Sequence, residues 1–212
     1  MKTSDLINAL VEDQAVNEPL FGPTLVVWLA MGLAVSVAIF AAFLGVRADI
    51  ANAIIDPHVQ FKFIFAASLF VPLLALTVYG LWPERELVPM LRWLALPMVV
   101  LVSGMAFQLL TSPSDYWVSG MVGRYPSACL RSIPALAIGP LLAILAMLRN
   151  GAPAQPVVSG AIAGAGSGGL AAFIYALHCP DDSALFVALW YSLAIGIVSV
   201  IGGLLGRYWL KW

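Results

Sequence analysis

Residues 159–195 read SGAIAGAGSGGLAAFIYALHCPDDSALFVALWYSLAI. Two long apolar runs flank a short polar insert, Leu177-His178-Cys179-Pro180-Asp181-Asp182. Neither run alternates with period two, so neither reads as a strand. Each extends far enough to cross the hydrocarbon of a bilayer as a helix, which takes about 20 mostly apolar residues. The stretch is therefore predicted to be two membrane helices joined by a turn. That turn carries an imidazole, a thiol and two carboxylates in a chain otherwise short of polar groups.

Composition extends the reading to the whole chain. Of 212 residues, 62% are hydrophobic and 10% charged, where a soluble domain carries roughly a quarter charged residues. Mean hydropathy is +0.97. Ten basic and eleven acidic residues leave a net charge of -1, which provides no basic surface for nucleic acid. Six stretches qualify as spans, at about 24–46, 61–82, 90–111, 130–148, 156–177 and 185–209. Only helices or closed barrels satisfy their backbone in lipid. The predicted fold class is all-α: a polytopic membrane protein of six transmembrane helices with short loops. Residues 1–20 form a polar amino-terminal segment without a signal-peptide cleavage site, and residues 21–212 form the six-helix domain.

Six spans put both ends on one side. The positive-inside rule sets Lys2, Arg85, Arg92, Arg149, Arg207 and Lys211 on the side of the termini against Arg47, Lys62, Arg124 and Arg131 on the other. This bias favours cytoplasmic termini. The closing GRYWLKW, where Arg207 and Lys211 alternate with Tyr208, Trp209 and Trp212, suits an interfacial anchor.

Within the spans, Gly160, Gly164 and Gly168 recur every four residues, and Gly202 and Gly206 repeat that spacing. Small residues so spaced let helix backbones approach closely. Internal packing of the fifth span on the sixth is expected, with a dimer seam or substrate path as the alternatives. Pro72, Pro97, Pro134 and Pro140 lie within spans and predict kinks. Ionisable groups are scarce there. Arg92 and Arg131 fall in first turns, where they can snorkel, and Gln108, Ser68 and Ser103 are weak polar candidates. No His-Glu-x-x-His, phosphate loop or Ser/His/Asp set lies within the bilayer, so no enzymatic chemistry is expected. The two three-span halves share no repeat of the kind that marks many transporters.

The two cysteines, Cys129 and Cys179, fall at the ends of the third and fifth loops, hence on one side of the membrane. With cytoplasmic termini that side is the oxidising periplasm. Three readings stay open: two unrelated small apolar residues, a structural disulfide, or a sensor whose thiols bind a soft metal or are oxidised. Thiolates favour Cu(I) and Zn, and His178 offers a neighbouring imidazole. Asp181 and Asp182 add negative charge, but they also suit an ordinary helix start with Asp182 or Ser183 as N-cap. His58 is a more remote ligand candidate.

The segment TSDLINALVED, residues 3–13, predicts a short amphipathic helix. Thr3 or Ser4 can cap it, and Asp5 suits the dipole of its first turn. Leu6, Ile7, Leu10 and Val11 share one face. Such a helix fits a partner with an apolar groove and a basic rim, or the bundle's own cytoplasmic face.

MKTSDLINALVED, CLRSIPALAIGP, LRNGAP, the stretch from SGAIAGAG to WYSLAI, and the terminal Gly-Arg-x-x-x-x-Trp together resemble the NrsF family of membrane-embedded anti-sigma factors. The resemblance covers essentially the whole chain and is most specific at YALHCPDD. It implies a six-span protein of the bacterial inner membrane that holds an extracytoplasmic-function sigma factor inactive in the cytoplasm. It further implies that Cys129 and Cys179 sense heavy metal or oxidative stress from the periplasm. No resident cofactor is required; a soft ion, copper or zinc, would be the signal. The segment Lys2 to Asp13 would contact the sigma factor through Asp5, Leu6, Ile7, Leu10 and Val11, with WPERELVP adding contacts. The lipid bilayer is the other partner. Two alternatives compete: a small metal or solute transporter with His178 and Cys179 at its mouth, and a thiol oxidoreductase. The latter lacks the expected Cys-x-x-Cys.

Overall fold

A computed structural model describes residues 21–81, 88–151 and 153–210, with Thr3 alone ahead of them. Among the described residues there is no strand, and six helices are long and apolar enough to cross a membrane. Span 1 is Phe21–Phe43, span 2 Pro57–Tyr79, span 4 Pro126–Gly151 and span 5 Pro156–Tyr175. Span 3, Ala95–Thr111, is entered through a 3-10 turn at Val88–Leu94. Span 6 covers Ala184–Trp209 and contains a π-helical turn at Val187–Tyr191. The expected all-α fold and all six spans stand. The amphipathic helix expected over residues 3–13, with Asp5, Leu6, Ile7, Leu10 and Val11, lies outside the described residues, apart from Thr3, as does most of WPERELVP.

Sequence dictates several helix ends. Proline opens spans 2, 4 and 5, where its missing N–H costs nothing and its fixed φ is already helical. Asp56 caps span 2 by accepting from the His58 backbone N–H at 2.8 Å. That bond first, and the His58 ring second, hold the Asp56 carboxyl below the usual carboxylate range despite some desolvation. Ser183 caps span 6, as anticipated for that position, accepting from Phe186 N–H at 3.4 Å. Pro72, Pro134 and Pro140 lie inside their helices. Pro97 lies near the start of span 3, just after the 3-10 turn passes into α-helix.

Spans 4, 5 and 6 form the centre. Span 1 packs on span 4, span 2 on span 5, and span 3 lies outermost against span 2 and the start of span 6. Spans 1 and 3 turn Val26, Val27, Met31, Met98, Val99, Val102 and Leu110 outward. Lipid tails are as apolar as those side chains, so that exposure carries no penalty in a bilayer.

The glycine repeats close the seam between spans 5 and 6, as internal packing requires. A Cβ on Gly160 would collide with the Gly202 carbonyl oxygen and the Gly206 Cα, and one on Gly202 would meet the Gly160 carbonyl oxygen. A Cβ on Gly164 would strike the Val198 carbonyl oxygen. The hydroxyl of Ser199 donates across the same seam to the Ala161 carbonyl at 3.0 Å. Span 1 meets span 4 in the same manner through Gly32 and Gly139, beside a buried bond from Ser36 Oγ to the Leu136 carbonyl at 2.6 Å.

Candidate functional site

The loops after spans 1, 3 and 5 gather at one end of the bundle, and residues 177–183 form their hub. Each polar residue of that turn reaches a different neighbour. His178 Nδ1 sits 2.9 Å from the Gly45 carbonyl oxygen, just past span 1. The backbone N–H of Arg47 donates to the Leu177 carbonyl at 3.0 Å, and its guanidinium to the Cys179 carbonyl at 3.2 Å. Asp181 accepts from the backbone N–H groups of Arg124 and Tyr125 at 3.0–3.1 Å, in the loop leading into span 4. Asp182 pairs with Arg47 at 3.0 Å and with Lys62 of span 2 at 2.5 Å. Ser183 exchanges hydrogen bonds with the Gln108 side chain of span 3, whose Oε1 also accepts from the Ala184 and Leu185 N–H groups.

The two aspartates thus do not cap span 6; Ser183 and Gln108 serve the first N–H groups of that helix. The carboxylates instead bind loop to loop. Arg47 lies between Asp49 and Asp182, and its guanidinium is held protonated more firmly than usual, first by the Asp49 hydrogen bond. The same bond keeps the exposed Asp49 carboxyl low.

Beneath this polar lid lie the thiols. Cys129 occupies the first turn of span 4 and Cys179 the turn itself. Both are 0% exposed, both are free thiols, and both belong to one apolar cluster with Ile133, Tyr175, Phe186 and Tyr191. Both expected cysteines are thus buried at the hub end of the bundle. Burial pushes the Cys179 thiol above the free-cysteine range, partly offset by the nearby Lys62 charge. Tyr175 and Tyr191 frame the sulfurs, their rings 5.9 Å apart. The π-turn of span 6 ends at Tyr191, which is fully buried beside Cys179. Such turns recur at functional sites because they re-aim one side chain without ending the helix.

His178 is next to Cys179 in sequence, but its ring rests on Tyr175 at 5.9 Å between centroids. His58 is half-buried at the mouth of span 2, 3.0 Å from Asp56. Among the described residues, no three His, Cys, Asp or Glu side chains are grouped to hold a metal ion. Sequence reasoning missed Lys62, counting it only in the charge balance between the two sides. Its signal was positional: Val59, Lys62, Phe65 and Ala66 fall on one helical stripe, and that stripe is buried.

A family model described as Negative regulator of sigma F matches residues 10–212. The chain belongs to the NrsF family. Among NrsF relatives, the Anti-sigma-F factor NrsF of Caulobacter vibrioides is 32% identical over the whole of both chains. The Probable anti-sigma-F factor NrsF of Azospira oryzae is 30% identical, again over the whole of both. No solved structure matches the NrsF chain. The relatives align from end to end, so the hub at 177–183 and both cysteines lie within the part shared with them.

Proposed function

We propose that this NrsF chain is an anti-sigma factor of the bacterial inner membrane with both termini in the cytoplasm. It holds an extracytoplasmic-function sigma factor inactive there and releases it when Cys129 and Cys179 meet heavy metal or oxidant at the periplasmic face. The names of its full-length relatives support the regulatory role and not an enzymatic one. The observation that carries the sensing half is the burial of both thiols under one turn that bonds to the segments around spans 1, 2, 3 and 4. A reaction at either sulfur has to disturb that turn, and the turn touches most of the bundle.

A soft ion such as Cu(I) or Zn would take both thiolates, with His178 as third ligand after its ring leaves Gly45. Oxidation would instead join the sulfurs or cap one of them. Either product needs more room, or another geometry, than two packed thiols. Differential stability of the two arrangements is what allows the signal to shift an equilibrium. On the cytoplasmic side, Asp5, Leu6, Ile7, Leu10 and Val11 present the docking face for the sigma factor. A transport reading would need charged groups along a path, whereas the one buried charged side chain among the described residues, Lys62, sits at the hub end.

Copurification from membranes tests the proposal, comparing the full chain with one lacking residues 1–18 and identifying bound proteins by mass spectrometry. A sigma factor retained by the full chain and lost on truncation is the expected result. Cys129→Ser and Cys179→Ser should retain the factor but fail to release it with cadmium or peroxide. If no sigma factor binds either form, the reading is wrong and metal uptake by vesicles becomes the next measurement.

A further inference from the structure

We infer that Lys62 is a positioning residue for the thiol site: a buried latch that holds the Cys179–Asp182 turn closed over both sulfurs and ties its state to span 2. The output side of this inference rests on the sensing function proposed above; the geometry does not.

Lys62 stands about 7–8 Å along the helix axis from Pro57, where span 2 begins. It is 0% exposed and lies on the same buried stripe as Val59, Phe65, Ala66 and Leu73. An ammonium in such a place is tolerated only when fully paired. Every acceptor it has among the described residues comes from one short turn: the Cys179 carbonyl at 2.8 Å, the Asp181 carbonyl at 3.3 Å and the Asp182 carboxylate at 2.5 Å. Arg47 shares two of these acceptors, yet it also holds the exposed Asp49. If the turn moves away, Arg47 keeps its hydrogen bonds to Asp49, whereas Lys62 keeps no hydrogen-bond acceptor among the described residues.

That asymmetry gives the latch its direction. The carbonyl gripped by Lys62 belongs to the residue whose sulfur reacts. A metal or oxidant that draws the Cys179 side chain out rotates the backbone that Lys62 holds. Opening then strands a buried ammonium unless span 2 follows. The far end of span 2 at Tyr79 lies about 25 Å away along the helix, so a shift of that helix reaches the opposite face. One residue thereby biases both states of a single element, which is the physical requirement for coupling two sites.

The test uses the full chain in lipid nanodiscs and follows N-ethylmaleimide modification of Cys179 by peptide mass spectrometry. Lys62→Met, which keeps the length of the stem without the charge, is compared with wild type and Lys62→Arg. Labelling of a buried thiol follows the population of the open turn, so Lys62→Met should react about tenfold faster, with Lys62→Arg close to wild type. Thermal unfolding of the same samples shows whether each variant is folded. Should Lys62→Met not fold, Asp182→Asn, which weakens the same grip from the other side, takes its place. A folded variant labelled at the wild-type rate overturns the latch.

Sigma-dependent reporter activity then reads the coupling. Release without inducer, or at about tenfold lower cadmium, supports it. Faster labelling with an unchanged cadmium threshold overturns the link to span 2. If Cys129→Ser and Cys179→Ser both respond to cadmium as wild type does, it is the sensing function that fails, and the labelling result for Lys62 still decides the latch.

Discussion

The hub at residues 177–183 and the seam between spans 5 and 6 hold the same helices by opposite means. The seam is apolar and shape-specific: backbone lies on backbone at Gly160, Gly164, Gly202 and Gly206, with one hydroxyl bond across it. The hub is polar and directional, built from ion pairs and side-chain-to-backbone bonds between residues far apart in sequence. In a bilayer the seam gains by close packing, since lipid already solvates apolar side chains. The hub gains by satisfying groups that neither lipid nor the apolar core can satisfy. A seam of this kind fixes how two helices fit but has no chemistry to react with a metal or oxidant. The hub has the chemistry, and the hub is where the thiols are.

The contrast predicts a graded set of effects. The largest belongs to the seam: Gly160→Leu drives a side chain into the backbone of span 6, and overpacking there should cost about 3 kcal/mol or more. Loss of the folded species in detergent, judged by size-exclusion profile and helical circular dichroism, is the expected outcome. Next comes Asp182→Ala, which leaves Lys62 buried beside carbonyls alone. Breaking such a pair should cost about 3 kcal/mol, less where water reaches the partly exposed carboxylate. A lowered thermal midpoint should be matched by Arg47→Met only in part, because Lys62 would keep its partner.

Gln108→Leu removes the acceptor for the first N–H groups of span 6 and should cost about 1–2 kcal/mol. Its thermal midpoint should fall between those of Asp182→Ala and wild type. For the thiol itself the sign is set by burial. With its folded proton affinity raised, Cys179 is less ionised at neutral pH than a free cysteine. Iodoacetamide labelling of native protein should therefore start slower and need higher pH to accelerate than labelling after denaturation. The ionised sulfur is the less stable form in the fold, so thiol ionisation should destabilise the native state as pH rises. The smallest effect returns to the seam helix. Gly196 has open space where a Cβ would go, so Gly196→Ala should be neutral or gain about 0.5–1 kcal/mol. A large loss there would show that glycine content, and not contact, holds span 6.

Much of the site could be read before any fold was known. Loop parity put Cys129 and Cys179 on one face because each crossing reverses the chain. The spacing of Gly160, Gly164, Gly202 and Gly206 named the closest helix pair because four residues return a helix to nearly the same face. Asp181 and Asp182 were less transparent. Two carboxylates after a proline satisfy the rule for a helix start, and only the approach of Arg124, Tyr125, Arg47 and Lys62 turns them to another purpose. Lys62 was hidden by its position at a span end, where a long side chain can equally snorkel outward. The buried stripe through Val59 and Ala66 contains the clue, but the sequence does not say which neighbour faces it.

The sequence alone determined the number of spans, their approximate positions and the side shared by the thiols. These follow from apolar run length and the obligation to satisfy backbone hydrogen bonds within each helix. Only the tertiary structure decided which polar groups meet. Lys62 and Asp182, Arg47 and the Cys179 carbonyl, and Gln108 and Ala184 are brought together by the packing order of six helices. Local periodicity cannot encode that order, because lipid-soluble helices of similar hydropathy can be arranged in many ways. Close contacts of backbone and buried charge select among them.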